Sequence, residues 1–129
     1  MPRYVSLDLG GESRHPGVWN VNPSRTITLG PLRGQVIPRL ICARADALPF
    51  AVGSVDQLLV ERTPLSEKTL REIARVMAPG GEVILRHVPF PDADRHALAR
   101  RILSGTSTQS VTQIDNQTVL ETRIRIAAG

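Results

Sequence analysis

The sequence predicts an α/β fold: a mostly parallel sheet with an antiparallel C-terminal hairpin and reduced helices in the N-terminal third. Three observations carry the prediction. Between Ala45 and His87 a Pro-Phe turn, an apolar strand, an amphipathic helix, a Pro-Gly-Gly stop and a second apolar strand follow in order, which builds half of a parallel sheet with its crossover. Beyond Gly105 the apolar period changes to two, as half-exposed antiparallel strands require. The connection from Gly10 to Gly17 holds only eight residues, whereas a parallel crossover carrying a helix needs about a dozen.

The elements follow in chain order. Tyr4 to Leu9 alternates and then runs apolar into Gly10-Gly11, a first strand opening into a turn that accepts positive φ. His15-Pro16-Gly17 turns the chain, and Val18 to Val21 is a second short strand closed by Asn22-Pro23. Arg25 to Gly34 holds one alternating piece and two turn signals, and Gln35 to Ala43 is an apolar run broken by Pro38. Val55, Leu58, Leu59 and Val60 then form the near-continuous apolar run of a central strand.

Thr63-Pro64 and Ser66 offer cap and first-turn residues to a helix. Leu70, Ile73, Ala74 and Met77 recur along it at inward spacing, and Glu67 stands four residues before Arg71 on its polar face. Ala78-Pro79-Gly80-Gly81 stops it, and Val83-Ile84-Leu85 makes the next buried strand, with His87 just beyond its carboxyl end. Asp92 caps a predicted helix over Ala93 to Leu103, with Leu98, Ala99 and Ile102 inward and Gly105 as its stop. Ser110 to Asp115 and Val119 to Ile126 read as a hairpin across Asn116-Gln117.

Bulk properties bound the function. A chain of 129 residues, 41% apolar, suits one domain, because folding at this size buries roughly two-thirds of the unfolded surface. The apolar runs are short and no signal-peptide pattern opens the sequence, so neither a membrane span nor a leader is indicated and a cytoplasmic location is expected. The single Cys42 has no Cys or His neighbour at metal-ligand spacing, so no metal is expected. The net charge is +4, but the basic residues are dispersed and aromatics make up only 3%, so stacking platforms are few and nucleic acid is disfavoured as a partner. The densest basic stretch, Arg95, His96, Arg100 and Arg101, reads as the solvated face of the second helix.

Three stretches together resemble the Rossmann-type, class I methyltransferases that use S-adenosylmethionine. ADALPFAVGSVDQLLV is similar to that family's Asp-Ala, x-Leu-Pro-Phe, then Gly-Ser-Phe-Asp segment. LREIARVMAPGGEVIL resembles its Leu-x-Glu-x-x-Arg-Val-Leu-x-Pro-Gly-Gly helix and strand, and SLDLGGE its Leu-Asp-Leu-Gly-x-Gly. The likeness covers most of the chain and is strongest over Ala45 to Leu85. It implies a Rossmann-like methyltransferase sheet and S-adenosylmethionine as cofactor. By the same resemblance Asp46 accepts from the adenine amino group, Ala47 and Leu48 lie beside the ring, Gly10 and Gly11 let the backbone approach the methionine part, and Asn22 stands where an acidic residue usually meets the ribose. A carboxylate accepts and cannot donate, so it selects an amino-bearing base edge, while the next backbone N–H can donate to the ring nitrogen.

The chain departs from the pattern at three places. Glu12 stands where a third glycine is usual, Asn22 lacks the acid's charge, and the first helix does not fit. Glu61, Arg62 and Thr63 follow the central strand and His87 the next, so all four fall at the carboxyl ends where open α/β sheets bind ligands. Glu61 and His87 are the candidate catalytic bases for an acceptor hydroxyl. The function implied is methyl transfer to a small-molecule substrate, as in bacterial secondary metabolism. The departures support an alternative: a degenerate methyltransferase-like binding or dimerisation partner of a larger enzyme, or the same pocket used for chemistry such as cyclisation. With no insertion long enough for a substrate lid, a homo-oligomer or a partner enzyme is expected to complete the site.

Overall fold

A computed structural model describes residues 5–61 and 63–128. The strands are β1 (Ser6–Leu9), β2 (Trp19–Val21), β3 (Leu40–Ile41), β4 (Val55–Glu61), β5 (Met77–His87), β6 (Gly105–Ile114) and β7 (Gln117–Ile126). Among the described residues two helices, α1 (Glu67–Val76) and α2 (Ala97–Ile102), precede and follow β5. The strands form one sheet in the order β3-β2-β1-β4-β5-β7-β6. The first five are parallel to their neighbours, and β7 runs antiparallel between β5 and β6. The expected fold class is the one observed.

Among the described residues no helix lies between β1 and β4. β1 and β2 are adjacent and parallel although residues 10–18 alone join them. Gly10 makes this possible: it turns at φ 73° and donates its N–H to Val21 O at 2.7 Å.

One face of the sheet is apolar. Leu7 and Leu9 of β1, Leu58 and Val60 of β4, and Val83 and Leu85 of β5 stand in register and are fully buried. They pack with Leu70, Ile73 and Val76 of α1 and with Ala99 and Leu103 around α2. α1 starts where Ser66 accepts from the Thr69 N–H at 3.1 Å, and Glu67 and Arg75 complement its dipole at either end. Its buried stripe is Thr69, Leu70, Ile73 and Val76; Ala74, expected inward, is exposed.

The opposite face is charged. Arg86 bridges Glu61 and Glu121, Arg123 bridges Glu121 and Glu82, and Arg125 also reaches Glu82. An ion-pair lattice lies where a second helical layer would pack.

Boundaries moved for identifiable reasons. The hairpin turns at Asp115-Asn116, one residue before the expected pair, because these two residues take the positive φ values (50° and 63°) of a two-residue turn. α2 begins only at Ala97: Asp94 accepts the His96 N–H at 2.9 Å and holds a turn there. Gly105, the expected stop, opens β6. β5 pairs from Met77 onward, with a register shift between Val55 and Gln57 of β4 absorbing the Pro-Gly-Gly segment.

Candidate active site

A cavity of about 330 Å³ lies at the carboxyl ends of β1, β2 and β4. Gly10, Val21, Pro23, Ala45, Asp46 and Thr63 line it, so two of the expected cofactor residues from distant stretches meet here. A side chain at Gly10 would collide with Thr63 Oγ1, and one at Gly11 with Asn20 Oδ1 and the Asp8 side chain. Both positions therefore need glycine for close packing, and Gly10 also for the positive φ of the turn. Asp46 pairs with Arg44 through two 3.0 Å contacts, and these bonds hold its carboxyl below the usual range. Each carboxylate oxygen keeps a further lone pair for an amino group.

The other expected cofactor residues are engaged within the chain. Ala47 N–H donates to Arg44 O at 3.1 Å and Leu48 N–H to Glu72 Oε1 at 2.8 Å. Asn22 is buried; its Nδ2 donates to Gly11 O and its Oδ1 accepts from Ser24 N. Glu12 binds Thr28 through both carboxylate oxygens, at 3.1 Å to N and 2.6 Å to Oγ1, tying the glycine turn to the following loop.

Glu72 and Arg75 explain why the Leu-x-Glu-x-x-Arg pattern accompanies the Leu-Pro-Phe segment. Arg75 reaches the carbonyls of Leu48 and Phe50 at 2.8 and 2.7 Å while pairing with Glu72 at 2.8 Å. One ion pair on α1 thus pins the loop that carries Asp46.

A second cleft, about 270 Å³, opens over the ends of β4 and β5 and is lined by Glu61, Arg86, His87, Arg95, Ile114 and Val119. It shares Glu61, Arg86 and Ile114 with a neighbouring space of about 490 Å³ walled by Arg14, His15 and Leu29. Glu61 and His87, the last residues of β4 and β5, both line this cleft. Glu61 is 6% exposed and contacts Arg86 at 3.3 Å and His15 at 3.4 Å. Arg62 lies outside the described residues, while Thr63 bonds Leu9 O through its hydroxyl at 3.1 Å.

His87 belongs to a buried chain of hydrogen bonds. Its Nε2 meets Thr63 O at 2.7 Å, and since a carbonyl only accepts, that nitrogen carries the proton. Its Nδ1 then accepts from His96 Nε2 at 2.9 Å, His96 Nδ1 accepts from the Thr122 hydroxyl at 2.6 Å, and Gln109 donates to Thr122 at 3.0 Å. This order requires both rings neutral. Burial lowers the pKa of each, that of His96 to about 4. The basic stretch is therefore not uniformly solvated, because His96 is fully buried.

Asp8, within the SLDLGG motif but given no role by sequence reasoning, is fully buried with neither oxygen hydrogen-bonded. Burial lifts its pKa to about 6, against the lowering pull of His15 and Arg14. Its place between Leu7 and Leu9 at the glycine turn was the available signal. For His96 the signal was helical spacing, three residues before Ala99 and seven before Leu103, both buried.

This strand order, with a glycine turn after β1 and an acid after β3 on one cavity, is the fold of the class I methyltransferases. Solved structures share it. The 16S rRNA (adenine(1408)-N(1))-methyltransferase W203A mutant from Catenulisporales acidiphilia aligns at TM-score 0.67 and 15% identity, over 96% of this chain and 85% of that one. A SAM-dependent methyltransferase from Thermotoga maritima, described as a possible histamine N-methyltransferase, aligns at 0.68 and 14%, over 98% and 84%. A structure of the Haloferax volcanii Trm112 methyltransferase activator with a methyltransferase aligns at 0.66 and 16%, over 95% and 83%. No family model and no curated protein matches the sequence. Among the described residues no helix is long and apolar enough to cross a membrane.

Proposed function

We propose that the chain binds S-adenosylmethionine in the cavity between Gly10 and Asp46 and methylates an acceptor held over Glu61 and Arg86. The observation that carries this reading is the meeting of Gly10 and Asp46, from separate parts of the chain, on one cavity at the carboxyl ends of the strands. Asp46 supplies the acceptor for an adenine amino group, and the Glu72–Arg75 pair fixes its loop. Gly10 lines the cavity on the side of the methionine part, while Gly11, Asn22 and Ala47–Leu48 support its walls through the bonds they make within the chain. When bound, the cofactor supplies an electrophilic methyl group.

The chain's own work is positioning, the main requirement of an in-line displacement. Glu61, held by Arg86 and His15, is the carboxylate placed to take a proton from an acceptor hydroxyl or amine. His87 has both ring nitrogens engaged and acts as a positioning residue, fixing Thr63 between the two cavities. The structural neighbours include enzymes named for an adenine of rRNA and for histamine, so the fold expresses no preference between nucleic-acid and small-molecule acceptors. A small acceptor is favoured by the 270 Å³ cleft.

Calorimetric titration with S-adenosylhomocysteine tests the reading. Wild type is expected to bind and Asp46→Ala to lose at least about tenfold in affinity, or about 1.4 kcal/mol. Absence of heat with wild type overturns it. That outcome would favour the alternative of a non-catalytic partner, for which Glu12 bound to Thr28 and the helix-free connection after β1 are the supporting observations.

A further inference from the structure

The sheet has two edges of very different character. β3 offers only Leu40–Ile41, whereas β6 offers ten residues, Gly105–Ile114, all exposed or half-buried. We propose that β6 pairs antiparallel with β6 of a second copy of this chain, joining two sheets into one across a two-fold axis.

The first support is composition. Natural edge strands that remain single are blunted by charge, proline, a bulge or a cover. The β6 sequence GTSTQSVTQI contains no Lys, Arg, Asp, Glu or Pro, and its register with β7 is unbroken over all ten residues. The adjacent β7 carries Glu121, Arg123 and Arg125, so the absence of charge is particular to the edge.

The second support is the phase of the ladder. Ala127 N–H donates to Ser104 O, which places the even-numbered residues of β6 in the hydrogen-bonded positions facing β7. The backbone N–H and C=O groups of Ser107, Gln109, Val111 and Gln113 consequently point away from the sheet. Among the described residues no hydrogen bond to that row is made.

The occupant follows from what could match such a row. A partner must bring a free edge of similar length, and β3 of another copy, with two residues, does not. A second β6 does so by symmetry, in the closed two-fold arrangement commonest among soluble oligomers. An axis through Ser110 sets Thr108 opposite Thr112 and Gln109 opposite Val111 on matching faces, with no like charges opposed. Ile114, at the end of β6, lines the cleft over Glu61 and Arg86, so pairing would brace one wall of that cleft.

Sedimentation equilibrium over about 5–200 μM tests the pairing, since self-association follows mass action. The expected mass at the upper end is twice the 14.1 kDa of one chain. Val111→Pro removes an outward N–H while leaving the β7 bonds alone, and Val111→Lys places like charges near the axis. Both are expected to weaken dimerisation by at least about tenfold with unchanged circular dichroism. Amide exchange on wild type needs no folded variant. Ser107, Gln109, Val111 and Gln113 should gain protection only at high concentration, while Thr108, Ser110 and Thr112 stay protected throughout. A wild type monomeric at 200 μM, a dimer in which the odd-numbered amides exchange freely, or a dimer surviving both substitutions overturns the proposal.

Discussion

The two faces of the sheet are built from different physics. The face under α1 and α2 holds together by apolar burial, worth roughly 25 cal/mol for each Å² removed from water. The other face carries ion pairs that grade from the largely buried Glu61–Arg86–Glu121 group to the more exposed contacts of Arg123 and Arg125, the latter of the sort that contribute about 0.2–1 kcal/mol each. The difference shows how a sheet of this fold stands with one helical layer: the uncovered face sets ion pairs around a smaller apolar patch at Leu59 and Ile84.

The largest expected effect comes from the helix-covered face. Ile73 is fully buried on α1, and Ile73→Ala should destabilise by about 2–4 kcal/mol in urea unfolding, through lost transfer energy and the cavity left behind. A loss under about 1 kcal/mol would mean that this face is not the principal core.

Next is the histidine chain on the same side. His96→Leu leaves His87 Nδ1 and the Thr122 hydroxyl without their partner, at an expected cost of about 1–3 kcal/mol at pH 7.5. The pH dependence has a definite sign. The native His96 pKa of about 4 lies below the unfolded value of 6.5, so the unfolded chain binds the extra proton and wild-type stability falls as pH drops through that window. His96→Leu should flatten this dependence, which urea unfolding at pH 7.5 and 5 would register.

Asp8 on the opposite face responds in the other direction. Its native pKa of about 6 exceeds the usual 3.8, so its contribution is present below 3.8 and lost as pH rises through 6. Asp8→Asn should therefore stabilise by about 1–2 kcal/mol at pH 7.5, less the cost of a buried amide, with the gain shrinking toward pH 4. Equal stabilisation at both pH values would show that Asp8 is solvated in the native state.

Much of this organisation was legible in the sequence because it rests on local signals. The spacing of Leu70 and Ile73 predicted α1 and the apolar run Val83 to Leu85 predicted β5, although α1 ends at Val76 and the expected Pro-Gly-Gly stop lies inside β5; the short connection from Gly10 to Gly17 predicted the helix-poor N-terminal third. Gly10 and Asp46 were found through motif resemblance, and the structure places them on one cavity. The buried status of His96 was not read from its charged neighbours Arg95, Arg100 and Arg101, because burial there depends on Thr122 and His87, 26 and 9 residues away. The burial of Asp8 was equally non-local: alternation puts it outward from Leu7 and Leu9, on the face where Gly11 packs against its side chain and where the distant Glu61 and Arg86 also act on it. The hairpin turns at Asp115-Asn116 rather than Asn116-Gln117, and the signal was local: Asp and Asn tolerate the positive φ that both turn positions require, and Gln does not.

The smallest effect should come from the ion-pair lattice. Arg123 contacts Glu82 at 3.2 Å and Glu121 at 3.4 Å with 42% of its side chain exposed, so solvent screens both contacts. Arg86 stays on Glu121 and Arg125 on Glu82 when Arg123 is removed, leaving neither carboxylate without a cation. Arg123→Ala is accordingly expected to cost under about 1 kcal/mol, falling further at 0.5 M salt. A cost equal to that of Ile73→Ala, persisting in salt, would mean that the charged face is packed as tightly as the apolar one and that the contrast between the two faces fails.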